Sequence, residues 1–322
     1  MTKNRKVLVT GATGYLGATI ALYLKKQGYD VFGTCRNLSN IILEKFEGIE
    51  LIQIDFTEVN LLDKLEKLEG INTIIHTVSL DHHQSQKFPL RDVNNTNILP
   101  TWELLSIFTK KNLSKFIYLS TLHVLGKLPN TDITEKTCVG PENIYALTHL
   151  MDEQIVNYYN KTTDTQCINV RLTNGYGAPI FDNNNCWWLV INDLCRMAFF
   201  EKKIVLQSDG KALRDFLHIS DTAKSMEVLI ENDIKNDNTI NISSGITFSL
   251  LEVAHTIKEV FISKYKVDIP VFYQNNILSD IVPQINEKFF VKHDRLSELG
   301  YNPKMTLKMG IEELFNYFDS QK

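Results

Sequence analysis

The chain lacks most of what specialised protein classes require. Its most apolar later run, CWWLVI at 186–191, falls far short of the roughly 20 residues that span a bilayer. Five cysteines, at positions 35, 138, 167, 186 and 195, are odd in number and irregular in spacing, which excludes a disulfide framework. No C-x-x-C pair suggests zinc or thiol exchange. Basic residues are in slight deficit: 34 Lys and Arg against 38 Asp and Glu leave a formal charge of −4, no field for gripping nucleic acid or an anionic membrane. No Pro/Gly/Ser linker, charge block or internal repeat divides the chain. The opening MTKNRKVLVTG passes from charged residues straight into a β-branched run without a signal-type segment. A folded, cytoplasmic protein with reduced thiols is expected, bound neither to nucleic acid nor to membrane.

What the chain does have is alternation. With 43% apolar residues in 322 it can bury a sizeable core. The runs KVLVTG, DVFGTC, ELIQID, NTIIHT and KFIYLS are separated by helical patterns, notably Gly14 to Gln27 and Pro100 to Lys110. Such spacing predicts βαβ units, hence an α/β fold with a doubly wound, Rossmann-type parallel sheet covered on both faces. After QCINVRLTNGYGAP the pattern loosens, and a smaller carboxyl-terminal lobe is expected near the carboxyl ends of the strands, where open α/β sheets hold ligands.

The first turn carries the clearest chemistry. VLVTGATGYLG sets Gly11, Gly14 and Gly17 between a strand and a helix, so that backbone N–H groups and the helix's positive end can approach a pyrophosphate. Thr13, Tyr15 and Leu16 belong to the same loop. The second strand ends in Cys35 and Arg36, where a dinucleotide fold normally keeps a carboxylate for the ribose hydroxyls. A guanidinium there can grip a 2′-phosphate, which favours NADP, with NAD as the alternative; the same residue also reads as a solvated surface arginine. Asp55 and the adjoining Phe56 end the third strand, where the carboxylate reads either as a contact to the adenine edge or as a turn former.

TGATGYLG, IIHTVS, STLHVLG, the helix carrying Tyr145, RDFLHISD and the closing LSELGYNPKMTLKMGIEEL occur in an order that resembles the extended short-chain dehydrogenase/reductases. More narrowly, the chain is similar to the nucleotide-sugar epimerases, dehydratases and reductases. The resemblance implies residues 1–172 as a dinucleotide-binding domain, with part of about 213–245 returning to it, and residues 173–322 as a nucleotide-sugar lobe. It implies Tyr145 as the acid/base, Thr121 as the hydroxyl that bonds the reacting oxygen, and Asn97 as a structural residue beside them. His76, Thr77 and Val78 would line the cofactor. Asn174 of RLTNGYG and Arg214 of LRDF would hold the diphosphate of a nucleoside-diphosphate sugar, Arg214 also reading as a surface salt bridge to Asp215. Family members dimerise through four helices, for which about 97–111 and 142–160 are the candidates here.

Two departures stand out. Leu122 and His123 follow Thr121, where the 4,6-dehydratases carry Asp-Glu, so dehydration is not expected; His123 reads either as an auxiliary proton donor or as a packed or solvent-facing side chain. His149 replaces the lysine of the family's Tyr-x-x-x-Lys. To act as a base near pH 7 a phenol must come down from about 10, worth about 4 kcal/mol. A histidine of ordinary pKa would be charged only about a quarter of the time at pH 7. The expected chemistry is therefore reduction of a 4-keto nucleotide sugar, in a setting such as surface-polysaccharide sugar synthesis. The alternatives are a 4-epimerase and a dinucleotide-binding sensor or scaffold with impaired catalysis.

Elsewhere, Asp81, His82 and His83 lack metal-ligand spacing, and no metal is expected. Trp187 and Trp188 read as packing between lobes or as a stacking surface for a base. ITFSLLEVAHTIKEVF reads as a core-facing helix.

Overall fold

β-Branched runs become strands where the sequence predicts them. The computed structural model describes residues 3–56, 61–274, 276–278 and 288–321. Its described strands are β1 (Lys3–Thr10), β2 (Tyr29–Cys35), β3 (Glu50–Gln53), β4 (Thr73–His76), β5 (Lys115–Thr121), β6 (Gln166–Leu172), β7 (Asn174–Tyr176), β8 (Ile204–Leu206), β9 (Leu213–His218), β10 (Thr239–Ile242), β11 (Thr247–Ser249), β12 (Val271–Tyr273) and β13 (Asn276–Ile277). Seven form one sheet in the order β10-β6-β5-β4-β1-β2-β3, and every pairing within it is parallel. Strands β4 and β5 are buried along their whole length, as a sheet covered on both faces requires. Alternate residues of β1 serve opposite cores: Val7 and Val9 pack in one apolar cluster and Leu8 in another.

The amino-terminal helices are α1 (Tyr15–Lys26), α2 (Asn40–Lys45), α3 (Leu61–Glu66), α4 (His82–Lys87), α5 (Leu90–Asn97), α6 (Leu99–Phe108) and α7 (Ile144–Thr162). The helix expected over about 97–111 is α6, continued by a 3-10 turn over Thr109–Lys111, and a separate helix, α5, precedes it. α5 ends at Asn97 and α6 begins at Leu99, because Pro100 in the first turn of α6 has no N–H to continue the preceding helix. The pattern NDLCRMAFF divides: an α-helix over Val190–Arg196 passes into a π turn at Met197–Glu201. α7 starts where Asn143 caps it, its side chain accepting from Ala146 N at 2.9 Å.

Beyond β6 the chain builds a second apolar cluster around Ile191, Phe199, Phe261 and Phe315, beside a three-stranded sheet β11-β9-β7. The helix Leu250–Tyr265 packs into it. β7 and β9 thereby stand at the carboxyl edge of the large sheet. No described helix is long and apolar enough to cross a membrane.

A buried ion pair joins α7 to β6. Arg171 Nε and Nη2 donate to Glu153 Oε1 and Oε2 at 2.9 and 2.7 Å, and Ser120 Oγ of β5 donates to Oε1 at 2.7 Å. Removing one member of such a pair strands the other charge in a dry interior. Glu153→Ala should therefore cost about 3–5 kcal/mol, read as a lowered urea midpoint at unchanged slope.

Candidate active site

A crevice of about 1470 Å³ opens at the carboxyl ends of β1, β2, β4 and β5, closed on the far side by β7, β9 and the loop at 181–190. One end is made of backbone. Gly11 has φ +66°, and a Cβ at Gly17 would stand 2.2 Å from Gly11 O, so both positions require glycine. Gly14 is the N-cap of α1, and no side chain caps that helix. Its first-turn N–H groups therefore face the crevice without a side-chain acceptor, which fits a pyrophosphate. Thr13, Tyr15 and Leu16 line the same wall; the Tyr15 hydroxyl turns to the second lobe and donates to Gly177 O at 2.8 Å. Arg36, Asp55 and Phe56 line the crevice with Cys35, where β2 and β3 end.

One expectation fails here. His76 does not face the crevice: it is fully buried, its Nδ1 2.7 Å from Thr10 Oγ1 and its ring packed near Phe56, Phe116 and Tyr118. Burial pushes its pKa down to about 3. The strand's alternation sends His76 inward, and the crevice is lined instead by Thr77 and Val78. Thr77 is fixed by donating to Thr10 O at 2.6 Å.

At the other end Thr121, Tyr145, His123 and His149 meet. Asn97 positions this end: Leu80 N donates to its Oδ1 at 2.8 Å, and its Nδ2 donates to Thr148 Oγ1 at 2.9 Å, tying the loop after β4 to α7. The Tyr145 ring is 4.5 Å from His149, edge to face, and 6.0 and 6.1 Å from His123 and His82. Tyr145 is only partly covered, yet protein surrounds it on most sides, and desolvation pushes its pKa up to about 12 against a lowering contribution from Thr121. Burial pushes His149 down to about 3, helped by His123. The imidazole is thus neutral at pH 7, correcting the quarter-charged state expected from an ordinary histidine, because a buried cation loses its hydration.

His149 has partners that sequence reasoning missed. Its Nδ1 lies 2.6 Å from the Tyr118 hydroxyl, which in turn lies 2.9 Å from Asp152 Oδ2; its Nε2 lies 3.3 Å from Ser79 Oγ. Asp152 follows His149 by three residues on one helix face, the available signal. Tyr118 comes from β5, and nothing local to α7 points to it.

Across the crevice, Asn174 Nδ2 donates to Asp215 O at 2.8 Å. Arg214 is exposed, donating to Leu213 O at 2.8 Å. The alternative salt bridge to Asp215 does not form: neighbouring strand residues face opposite ways, and the buried Asp215 carboxylate accepts from Thr173 Oγ1, Ser244 N and Ser244 Oγ. The tryptophans divide. Trp187 packs on Tyr317 and Phe318, whereas Trp188 lines the crevice, edge-on to His83 at 5.1 Å. Asp81 caps α4 with a capping box. Among the described residues no three His, Cys, Asp or Glu side chains are grouped to hold a metal.

Residues 7–243 match the family model described as "NAD dependent epimerase/dehydratase family". A dTDP-D-glucose 4,6-dehydratase of Dictyostelium discoideum is 23% identical over 365 residues, covering 99% of this chain and 82% of that protein. A UDP-glucose 4-epimerase of the same organism is 28% identical over 283 residues, 79% of this chain and 80% of that protein. The solved UDP-glucuronic acid 4-epimerase of Bacillus cereus, in complex with UDP-glucuronic acid and NAD, superposes with a TM-score of 0.79 at 21% identity, over 98% of this chain and all of that one.

The depressed pKa of His149 has a consequence for stability. Between about 6.5 and about 3 the unfolded chain binds a proton that the folded histidine refuses. Its contribution is complete above the unfolded pKa and is lost as pH falls. From about pH 7 to about pH 5 the unaltered protein should lose about 2 kcal/mol more than His149→Gln, measured by urea unfolding at both values.

Proposed function

The chain belongs to the NAD dependent epimerase/dehydratase family, and from that premise we propose that it is an NAD(P)-dependent enzyme interconverting a ketone and a carbinol on a nucleoside-diphosphate sugar. The observation that carries this reading is the position of Tyr145: beside Thr121 on the crevice wall, opposite the glycine loop, open to a ligand. When bound, the dinucleotide supplies the ring that gives or takes hydride. Tyr145 gives or takes the accompanying proton, and the Thr121 hydroxyl bonds the same substrate oxygen. Asn174 and Arg214 stand where a diphosphate would cross from one lobe to the other.

Direction follows from protonation. With its pKa near 12, Tyr145 enters the reaction holding its proton, which suits donation to a keto oxygen. Reduction of a 4-keto sugar is therefore the first reading, with a cytosolic supply of sugars for a surface polysaccharide as its setting. Leu122 and His123, in place of an acid/base pair, argue against dehydration. The second reading is 4-epimerisation, favoured by the activity named for two of the relatives above. For the cofactor, Cys35 and Arg36 at the end of β2 supply no carboxylate and one cation, which supports NADP; the NAD in the Bacillus cereus complex makes NAD the alternative.

A homodimer through α6 and α7 is part of the proposal. Trp102, Leu147, Met151 and Tyr158 are exposed at 53, 46, 45 and 59%, an apolar face that a second copy would cover. Trp102→Glu should convert a dimer to a monomer in light scattering; a monomer before substitution removes this part of the reading.

Turnover tests the chemistry. Purified protein offered NADPH or NADH with a panel of 4-keto nucleotide sugars should consume the cofactor in step with product. Tyr145→Phe should lower kcat by about 10²–10⁴ with KM little changed. Isomer interchange with no net cofactor consumption selects the epimerase reading. If neither these 4-keto sugars nor the parent nucleotide sugars offered with NAD or NADP are converted, the non-catalytic dinucleotide-binding reading takes over.

A further inference from the structure

Behind the reaction end lies a buried file of polar groups that the proposed chemistry does not yet use. His149 and Asp152 of α7 and Tyr118 of β5 are 4, 1 and 2% exposed. The Tyr118 hydroxyl sits between them, 2.6 Å from His149 Nδ1 and 2.9 Å from Asp152 Oδ2. The other ring nitrogen, Nε2, faces Ser79 Oγ at 3.3 Å, and both residues line the crevice.

A phenol has one proton, so this file has two closed arrangements. With Asp152 ionised, Tyr118 donates to Oδ2 and accepts from Nδ1–H, which leaves a lone pair at Nε2. With Asp152 protonated, its O–H donates to Tyr118, Tyr118 donates to Nδ1, and Nε2 carries the hydrogen. The imidazole and the phenol are neutral in both.

We propose that Asp152, acting through Tyr118 and His149, stores one proton that the file exchanges with the crevice. A proton arriving at Nε2 forms an N–H bond there as the Nδ1 proton passes to the Tyr118 oxygen and the Tyr118 proton passes to Asp152 Oδ2. The carboxylate becomes a carboxyl, and no imidazolium is formed; the reverse shift returns the proton. His149 is the member that meets the crevice, and Tyr118 and Asp152 act through it. In use, this inference rests on the function proposed above, since Tyr145 gains or loses a proton whenever ketone and carbinol interconvert and its ring adjoins that of His149.

The energetics agree with the geometry. Burial that holds His149 near 3 makes a charged relay costly, while burial that lifts Asp152 to about 8 loads the store at neutral pH and empties it on the alkaline side. The other groups facing the file are His76, His123, Tyr145, Thr101 and Glu153, the last held by Arg171 and Ser120, while His82 adjoins Tyr145.

Ring-nitrogen NMR of the cofactor-free protein with labelled histidine tests this directly, the His149 signals being assigned by their loss in His149→Gln. The expected result is a neutral ring whose proton sits on Nε2 on the acid side of about 8 and moves to Nδ1 as pH rises through that value. Asp152→Asn and Tyr118→Phe should each abolish the exchange. The proposal is overturned if the unaltered ring keeps one tautomer from about pH 6 to about pH 10 or charges near the ordinary histidine pKa. It is equally overturned if a folded variant switches as before. The unaltered protein alone decides the matter should both variants fail to fold. With no sugar or cofactor present, a negative result here leaves the turnover reading intact, and failed turnover leaves this one intact.

Discussion

Helix α7 carries two adjacent carboxylates into the protein interior, and the arrangement of the reaction end depends on how each is compensated. Glu153 is met by a cation: Arg171 of β6 holds both of its oxygens, and Ser120 of β5 adds a third bond. Asp152 accepts from the Tyr118 phenol and, among the described residues, pairs with no cation. A carboxyl group in a dry site without a counter-ion is held toward its neutral form. One member of the pair is thereby held in an ion pair, and its neighbour is a carboxyl group that burial pushes up to about 8. Both face β5, so the strand that carries Thr121 is gripped along the face that sets its position relative to Tyr145.

That grip gives meaning to the glycine loop at the opposite end. Strands β1 and β4 are hydrogen-bonded neighbours, and Thr10 at the end of β1 contacts both His76 and Thr77 through its hydroxyl. In the turn that follows, Gly11 and Ala12 donate to Thr34 and Gly14 to Gly11 O, while the first turn of α1 has no side-chain cap. The loop and Tyr145 are therefore set by one sheet: one follows β1, and the other lies on the helix packed over β5. A ligand spanning the crevice meets a rigid scaffold at both ends, which is what positioning two reacting groups requires.

The legibility of the sequence divides along the same line. The glycine loop is readable because every element of it is local: a β-branched strand, three glycines and a helix in succession. The doubly wound parallel sheet is legible in the alternation of runs and helices, though the order of its strands is not. His76 was misplaced because its location at a strand end suggests the crevice, whereas the pleat points that residue inward and gives the lining to Thr77. Arg214 and Asp215 raised the same ambiguity, resolved by the same alternation. The start of α6 is legible at Pro100, which favours the first turn of a helix and cannot continue a preceding one. Least readable was the environment of His149. Its i+3 neighbour was visible on the helix, but the tyrosine that links them stands on a strand about thirty residues earlier in the chain, and only the packing of α7 over β5 brings it there.

Where the resemblance implies a lysine, His149 looks, on sequence alone, like loss of a positive charge beside the phenol. The structure alters that accounting in two ways. The imidazole is neutral, so the electrostatic lowering of the Tyr145 pKa is absent altogether, and Tyr145 sits well above the range in which it ionises unaided. Yet the space is not filled by an inert group: a neutral ring with one nitrogen toward the crevice and the other toward a phenol and a carboxyl group retains the capacity to move a proton without separating charge. Field and proton transfer, which a single amine would combine, are thus separable here. Reduction of a ketone needs chiefly the second, because Tyr145 starts protonated, while oxidation of a carbinol needs the first as well. On the proposed reading, the site is accordingly better matched to giving a proton than to taking one, with the buried carboxyl group as the source that replaces it.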